Sequence, residues 1–271
     1  MVCRSLRHAG EELLAQRDGL AAYAKTGKTM GIPLLHPWAN RLGAWSYAAL
    51  GREVVLEHDG GLVRADGETG LPLHGTLPRR WEIVSAEPSR LVAELPAGAS
   101  AAFPFEHAAR LEATLTAATL RLTTTLTASS GPVPATFGFH PYLTLPGVAR
   151  ESYRVELPVI RRLVLDERKL PTGATEPVEP LAETLGDTVH DDGYDELDTP
   201  AVFALEGGGR RIELRIESGF PAAQVYAPRG EAFACFEPMT ARTNALCTGG
   251  FPVATPAKPY TAAFTIAVAA A

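Results

Sequence analysis

Cysteine is scarce: Cys3, Cys235 and Cys247 are the only ones among 271 residues. An odd count with no C-x-x-C spacing excludes a disulfide framework and a zinc knuckle. A reducing cytoplasm is the compartment this fits. Long apolar runs are missing too. No stretch approaches the ~20 residues of a membrane helix, and the apolar tail over 262–271 is too short for one. The N-terminal MVCRSLRHAGEELL lacks the apolar core of a secretory leader. Positive charge is also lacking. Twenty-five Lys and Arg face 31 Asp and Glu, for a net charge of −6 and a pI of about 5.7. The arginine pairs at 79–80, 161–162 and 210–211 are scattered, so neither a nucleic acid nor an anionic membrane is an expected partner. There is no G-x-S-x-G elbow, no H-E-x-x-H or H-x-H spacing and no phosphate-loop lysine. Serine-hydrolase, zincin and P-loop chemistry are without support.

Glycine (25) and proline (22) are frequent and cut the chain into short runs, which favours strands and turns. Residues 110–127 alternate as two strands about a turn near 117–119, and residues 202–217 alternate on either side of three glycines. Further strands are expected at 54–56, 81–84, 91–95, 153–157, 160–165, 222–226, 232–236 and 262–268. Residues 10–25 have a helical composition but poor apolar spacing, with Gly19 interrupting them. Residues 171–200 read as a polar, strand-poor excursion. The whole predicts an all-β chain, a large antiparallel β-sandwich or barrel, in one domain over 1–271.

Five polar spots stand out. TFGFHPYLTL, 136–145, reads as a strand with Phe137, Phe139, Leu143 and Leu145 on the core face. The other face offers His140 between hydroxyls, with Gly138 leaving room beside it and Pro141 weakening the pairing. A histidine satisfied inside a sandwich fits this pattern as well as a proton donor does. PWANRL carries Asn40 and Arg41, whose fork can hold hydroxyls or simply face solvent. LPLHG places His74 before a glycine that lets backbone come close. HDDGYDEL gathers acids, Asp191 and Asp195 among them, in a turn that is either solvated surface or a hold on hydroxyls or a metal. ACFEPMT puts Glu237 on the parity of Phe233 and Cys235. Burial there raises a carboxyl's pKa and makes it a better base near neutrality.

Taken together and in order, GIPLLHPWANRLG (31–43), LHGTLPRRW (73–81), FGFHPYL (137–143), DDGYDEL (191–197) and EPMTARTNAL (237–246) resemble the aldose 1-epimerase (galactose mutarotase) family. The resemblance implies an antiparallel supersandwich with an open sugar cleft and a cofactor-independent, metal-free isomerase acting on a free hexose. It makes Glu237 the general base on the anomeric hydroxyl and His140 the general acid at the ring oxygen. It puts His74 at the ring oxygen or on the sugar. Arg41, Asn40 and an acid of the 191–197 stretch would bind hydroxyls, Asp191 in one register and Asp195 in another. Both the carboxylate and the imidazole are expected to have pKa values brought toward neutrality. Members usually carry further strands before the equivalent of SLRHAGEELL, so the N-terminal edge is expected to be trimmed. Met239 stands where many members have a polar residue, a change expected to alter sugar contacts. Three other readings compete. A hexose-6-phosphate epimerase would need extra cations, with Arg79, Arg80 and Arg242 as candidates. A sugar-binding domain without catalysis would keep the cleft. A His74–His140–Glu237 set would hold zinc. Oligomeric state is not readable.

Overall fold

The computed structural model describes residues 1–58, 61–76 and 81–270. Two nine-stranded antiparallel sheets carry most of the chain. One is continuous and long-stranded. It runs Leu181–Thr184, Arg154–Leu157, Ala201–Gly207, Arg210–Ser218, Tyr260–Ala270, Thr119–Ala128, Phe103–Leu115, Arg90–Ser100 and Glu82–Glu87. The other is built from short strands: Val2–Cys3, Ile32–Leu35, Gly138–Phe139, Ala234–Met239, Ala222–Ala227, His190–Tyr194, Arg161–Leu165 and Pro171–Pro177. Tyr142–Leu143 pairs with Ala234–Met239 off this path.

Period-two burial explains how the sheets stack. In Arg210–Ser218 the buried residues are Ile212, Leu214 and Ile216. Leu214 and Ile216 lie opposite Ile266 and Phe264 of the C-terminal strand, as cross-strand packing on one face requires. From the short-stranded sheet Phe139 meets Phe264 at 5.0 Å between ring centroids, and Phe236 stacks on Phe203 at 5.5 Å. These aromatic contacts bury one face of each sheet in a shared core. The opposite face of the short-stranded sheet remains open to carry polar side chains.

Both expected hairpins form, Phe103–Leu115 with Thr119–Ala128 and Ala201–Gly207 with Arg210–Ser218. The ambiguous N-terminal stretch divides into a short strand, Glu11–Glu12, and an eight-residue helix, Gly19–Thr26, closed by Gly27 at φ 71°. Two expectations need correction. Residues 171–200 are not strand-poor: Pro171–Pro177, Leu181–Thr184 and His190–Tyr194 all pair. The first two are sheet edges, so their polar composition reflects exposure and not irregular backbone. Nor is the 136–145 stretch one strand. It breaks at His140 and Pro141 into Gly138–Phe139 and Tyr142–Leu143, because proline supplies no ladder N–H. Among the described residues no helix is long and apolar enough to cross a membrane. The three cysteines are free thiols.

Candidate active site

The register of the short-stranded sheet brings the polar residues into rows. Glu237 lies opposite Gln224, and Gln224 opposite Gly193. One pleat along, Tyr142 lies opposite Cys235, Cys235 opposite Tyr226 and Tyr226 opposite Asp191. Directly opposed residues share a face, so Glu237, Gln224, Tyr226 and Asp191 all point away from the core, while Phe236 and Val225 point into it. They floor a cleft of about 360 Å³, within the range of small-molecule sites. Its walls add Arg17, Thr29, Asn40, Arg41, Arg64, Asp66, Glu68, His74, His140 and Lys169. A larger depression, about 540 Å³, is lined by Leu50, Arg52, Pro104, Phe105, Glu106 and neighbours. It has no histidine and no paired acid and base, so chemistry belongs to the cleft.

At the floor, His140 Nε2 lies 3.2 Å from Glu237 Oε1. The imidazole stacks on Tyr142 at 4.3 Å with 8° between the planes. Nε2 is also 3.3 Å from the Tyr142 hydroxyl. That hydroxyl lies 2.6 Å from Thr29 Oγ1 and accepts from Arg17 Nη1 at 3.2 Å. Glu237 and His140 are both buried, at 2% and 5% exposure. Burial, and then the nearby Asp191 charge, push the Glu237 carboxyl well above its ordinary range. This agrees with the sequence expectation. For the imidazole the expectation fails. Burial, and then the charges of Arg17 and Arg64, lower His140 to about 3. Both groups are therefore driven toward their uncharged forms, and the two alternatives, COOH with imidazole or carboxylate with imidazolium, differ by one proton across 3.2 Å.

His74 approaches from the strand Pro72–Thr76, its ring edge-on to His140 at 5.4 Å between centroids. Its backbone has φ 62°, a left-handed conformation that is costly for a residue with a Cβ. Gly75 follows at φ 74°, where an added Cβ would meet the His36 carbonyl oxygen at 2.3 Å. The expected close approach is real. Burial and the facing His140 hold His74 well below its usual pKa. Gly138 serves packing instead of leaving room for a ligand: a Cβ there would meet the Pro238 carbonyl at 2.8 Å and Ala39 Cβ at 2.9 Å.

The hydroxyl-binding candidates form one network. Asn40 Nδ2 donates to Gln224 Oε1 at 3.3 Å, and Gln224 Nε2 donates to Asp191 Oδ1 at 2.8 Å. Lys169 Nζ donates to Asp191 Oδ2 at 2.7 Å. Asn40 Oδ1 accepts from the Arg41 backbone at 2.8 Å, and Arg41 Nε donates to Asp66 Oδ2 at 2.7 Å. Burial alone would raise Asp66; its hydrogen bonds from Arg41 and Thr69 hold it lower instead. Asp191 lies in a strand, not the expected turn. Asp195 is outside the cleft. It sits just past the strand end, held by Arg161 at 2.7 Å with Arg242 at 3.9 Å. That pairing also removes Arg242 from the cleft, and Arg79 and Arg80 lie outside the described residues. Met239 is buried against Leu35, Ala39 and Ala222 and does not line the cleft. Among the described residues no three His, Cys, Asp or Glu side chains are placed to hold a metal ion, which leaves the zinc reading without a site.

Sequence reasoning missed Arg17, Arg64, Asp66, Lys169 and Gln224. Gln224 had a usable signal, since the alternation in 222–226 puts one polar residue between Ala223 and Val225. The others sit in turns and short strands with no pattern of their own.

The aldose 1-epimerase family model matches residues 3–257. No curated protein sequence matches. A candidate aldose 1-epimerase from Escherichia coli K12 superposes with a TM-score of 0.78 at 18% identity, over 100% of this chain and 93% of that one. A galactose mutarotase-like protein from Clostridium acetobutylicum gives 0.77 at 16%, over 96% and 86%. A galactose mutarotase related enzyme from Lactobacillus acidophilus gives 0.76 at 17%, over 98% and 91%. Identities this low establish the shared sandwich fold alone. The match along nearly the whole sequence goes further: this chain belongs to the aldose 1-epimerase family.

Proposed function

We propose that the protein is an aldose 1-epimerase that interconverts the α and β anomers of an aldohexose by ring opening and closure. The observation that carries this reading is the buried His140–Glu237 pair, 3.2 Å apart at the floor of a polar cleft. Opening a cyclic hemiacetal removes a proton from the C1 hydroxyl as another is given to the ring oxygen. Glu237 takes the first and His140 gives the second, while the C1–ring oxygen bond breaks to leave an aldehyde. Rotation about C1–C2 presents the other face of the carbonyl. Closure returns both protons, so none is gained or lost.

The pair suits this because one proton serves both groups. In the empty cleft burial favours the uncharged pair, with the proton on Glu237. Sugar hydroxyls donating to the carboxylate stabilise its ionised form, which moves the proton to His140 and gives the state from which opening starts. His74, edge-on to His140, orients the ring oxygen. Arg41, Asn40 and Asp191 bind hydroxyls, pre-set by Asp66, Gln224 and Lys169 so that little ordering remains on binding. No step calls for a cofactor. The free thiols fit a cytoplasmic setting.

The test follows anomer exchange by polarimetry for a panel of α-aldoses, neutral and charged. Glu237→Gln and His140→Ala should each lower kcat by about 10²–10⁴-fold with the circular dichroism unchanged. Exchange that survives both substitutions would remove the reading. Saturable sugar binding without any acceleration would leave a binding protein.

A further inference from the structure

Arg150 is buried, at 5% exposure, and among the described residues it pairs with no carboxylate. Its guanidinium donates to four backbone carbonyls instead. Nε reaches Pro228 at 2.9 Å and Nη1 reaches Gly186 at 2.7 Å. Nη2 reaches Thr188 at 2.6 Å and Ala227 at 3.0 Å. Burying a charge is costly, and here carbonyl dipoles offset the cost. The four carbonyls belong to two segments. Gly186 and Thr188 precede the strand His190–Tyr194, whereas Ala227 ends the neighbouring strand Ala222–Ala227 and Pro228 follows it. The segment carrying Arg150 is itself tied to the first of these. Gly186 N donates to the Glu151 carbonyl at 3.2 Å, and Leu185 N to the Tyr153 carbonyl at 2.7 Å.

This clamp adjoins the cleft floor. His190 opposite Ala227 is the last pair of the ladder, and Asp191 opposite Tyr226 is the next. Val189 and Pro228, which follow Thr188 and Ala227, line the cleft together with Asp191 and Tyr226. Lys169 and Gln224 hold the Asp191 carboxylate, but they fix the side chain and not the strand that carries it. A ladder end opens more readily than its middle, because its last pair is supported on one side only. Four charge-assisted bonds that join both segments oppose that opening. An arginine can make them because its donors lie on three nitrogens of a rigid planar fork, whereas the three donors of a lysine radiate from one atom.

We propose that Arg150 is a positioning residue for sugar binding: its guanidinium holds the end of the His190–Tyr194 ladder where Asp191 can reach a sugar hydroxyl. The proposal rests on reading the cleft as an epimerase site. Glu237 and His140 stand on other segments, which accept no hydrogen bond from Arg150. Loss of the clamp therefore weakens the hold on the sugar and spares the proton transfers. A contact made equally in the ground state and the transition state moves KM and not kcat.

The experiment compares wild type, Arg150→Ala and Arg150→Lys. It follows anomer exchange of α-glucose and α-galactose by NMR, binding of the same sugars by calorimetry, and backbone hydrogen exchange by mass spectrometry. Arg150→Ala should raise KM about tenfold or more and leave kcat within about twofold of wild type. Hydrogen exchange should quicken over 186–191 and 226–228 while the long-stranded sheet stays protected. Millimolar guanidinium, filling the space of the missing side chain, should bring the KM of Arg150→Ala back toward wild type and leave wild type unchanged. Arg150→Lys should fall between the two. Should Arg150→Ala lose its fold by circular dichroism, Arg150→Lys reads KM and local exchange instead. An unchanged KM in a folded variant, or a kcat that falls with overall stability and does not answer to guanidinium, overturns the proposal and leaves Arg150 a structural residue alone. Sugar that binds wild type without acceleration, and binds Arg150→Ala more weakly, keeps the positioning role and removes the epimerase reading instead, so the two failures are distinguishable. Wild type that neither binds nor exchanges either sugar overturns both.

Discussion

Glu237→Gln should make the protein more stable as it makes it inactive, and the pH dependence of the gain follows from the structure. The Glu237 carboxyl is raised well above 4.5 by burial and by Asp191. Above pH 4.5 the unfolded chain therefore ionises this group while the fold retains its proton, and folding loses about 1.4 kcal/mol per pH unit. Glutamine removes that loss. The difference in unfolding free energy between Glu237→Gln and wild type should be flat below pH 4.5 and rise above it until Glu237 itself ionises in the fold.

His140 behaves oppositely. Its pKa falls from 6.5 to about 3 on folding, so its contribution is fully present above pH 6.5 and is lost as pH falls toward 3. His140→Gln should gain on wild type by about 1.4 kcal/mol per pH unit across that window, on the order of 5 kcal/mol in all. In wild type the two effects oppose each other above pH 4.5, where the unfolded chain keeps its proton on His140 and the fold favours one on Glu237. Urea denaturation from pH 4 to 8 measures both differences, and titrations elsewhere subtract out. A Glu237→Gln difference that stays flat through pH 6.5 would mean the carboxylate is already ionised in the empty cleft, and the argument for a shared proton would be wrong.

Other substitutions probe the scaffold. Gly75→Ala drives a Cβ to 2.3 Å from the His36 carbonyl at φ 74°; left-handed strain and overlap together should cost about 2–5 kcal/mol, read as a lowered urea midpoint. Asp66→Asn leaves Arg41, whose side chain is 11% exposed, without its counter-charge. It should cost about 1–3 kcal/mol and raise KM more than it lowers kcat in the exchange assay. Asp191→Asn and Asp195→Asn separate the two registers. The first should raise KM about tenfold or more, whereas the second, at the Arg161 pair outside the cleft, should leave KM unchanged.

Several features are legible in the residue order. Alternation in 110–127 and 202–217 defines hairpins because a half-buried strand must place its apolar residues two apart. The same rule puts Phe137, Phe139, Leu143 and Leu145 on the core face, where they are found. It also puts Glu237 on the face of Cys235, away from Phe236. The ordered motifs carry the family and the positions of His74, His140, Glu237 and Arg41. Each expectation that fails has a physical cause. Polar edge strands at 171–177 and 181–184 look like loop because one sheet edge faces water. The pKa of His140 escapes sequence reasoning because it depends on burial and on the distant residues Arg17 and Arg64, neither of which leaves a mark near residue 140.

By itself, then, the sequence determined which side chains face the core, since that follows from residue type and a two-residue period, and its ordered motifs carried the family. Tertiary structure alone decided which charges meet. Pairing of His190–Tyr194 with Ala222–Ala227 sets Asp191 and not Asp195 on the cleft floor. Asp191 is 22 residues from its lysine and 33 from its glutamine, and Arg17 is 125 residues from Tyr142. Electrostatic interaction acts through space, and only the closed sandwich brings those residues within reach of one another.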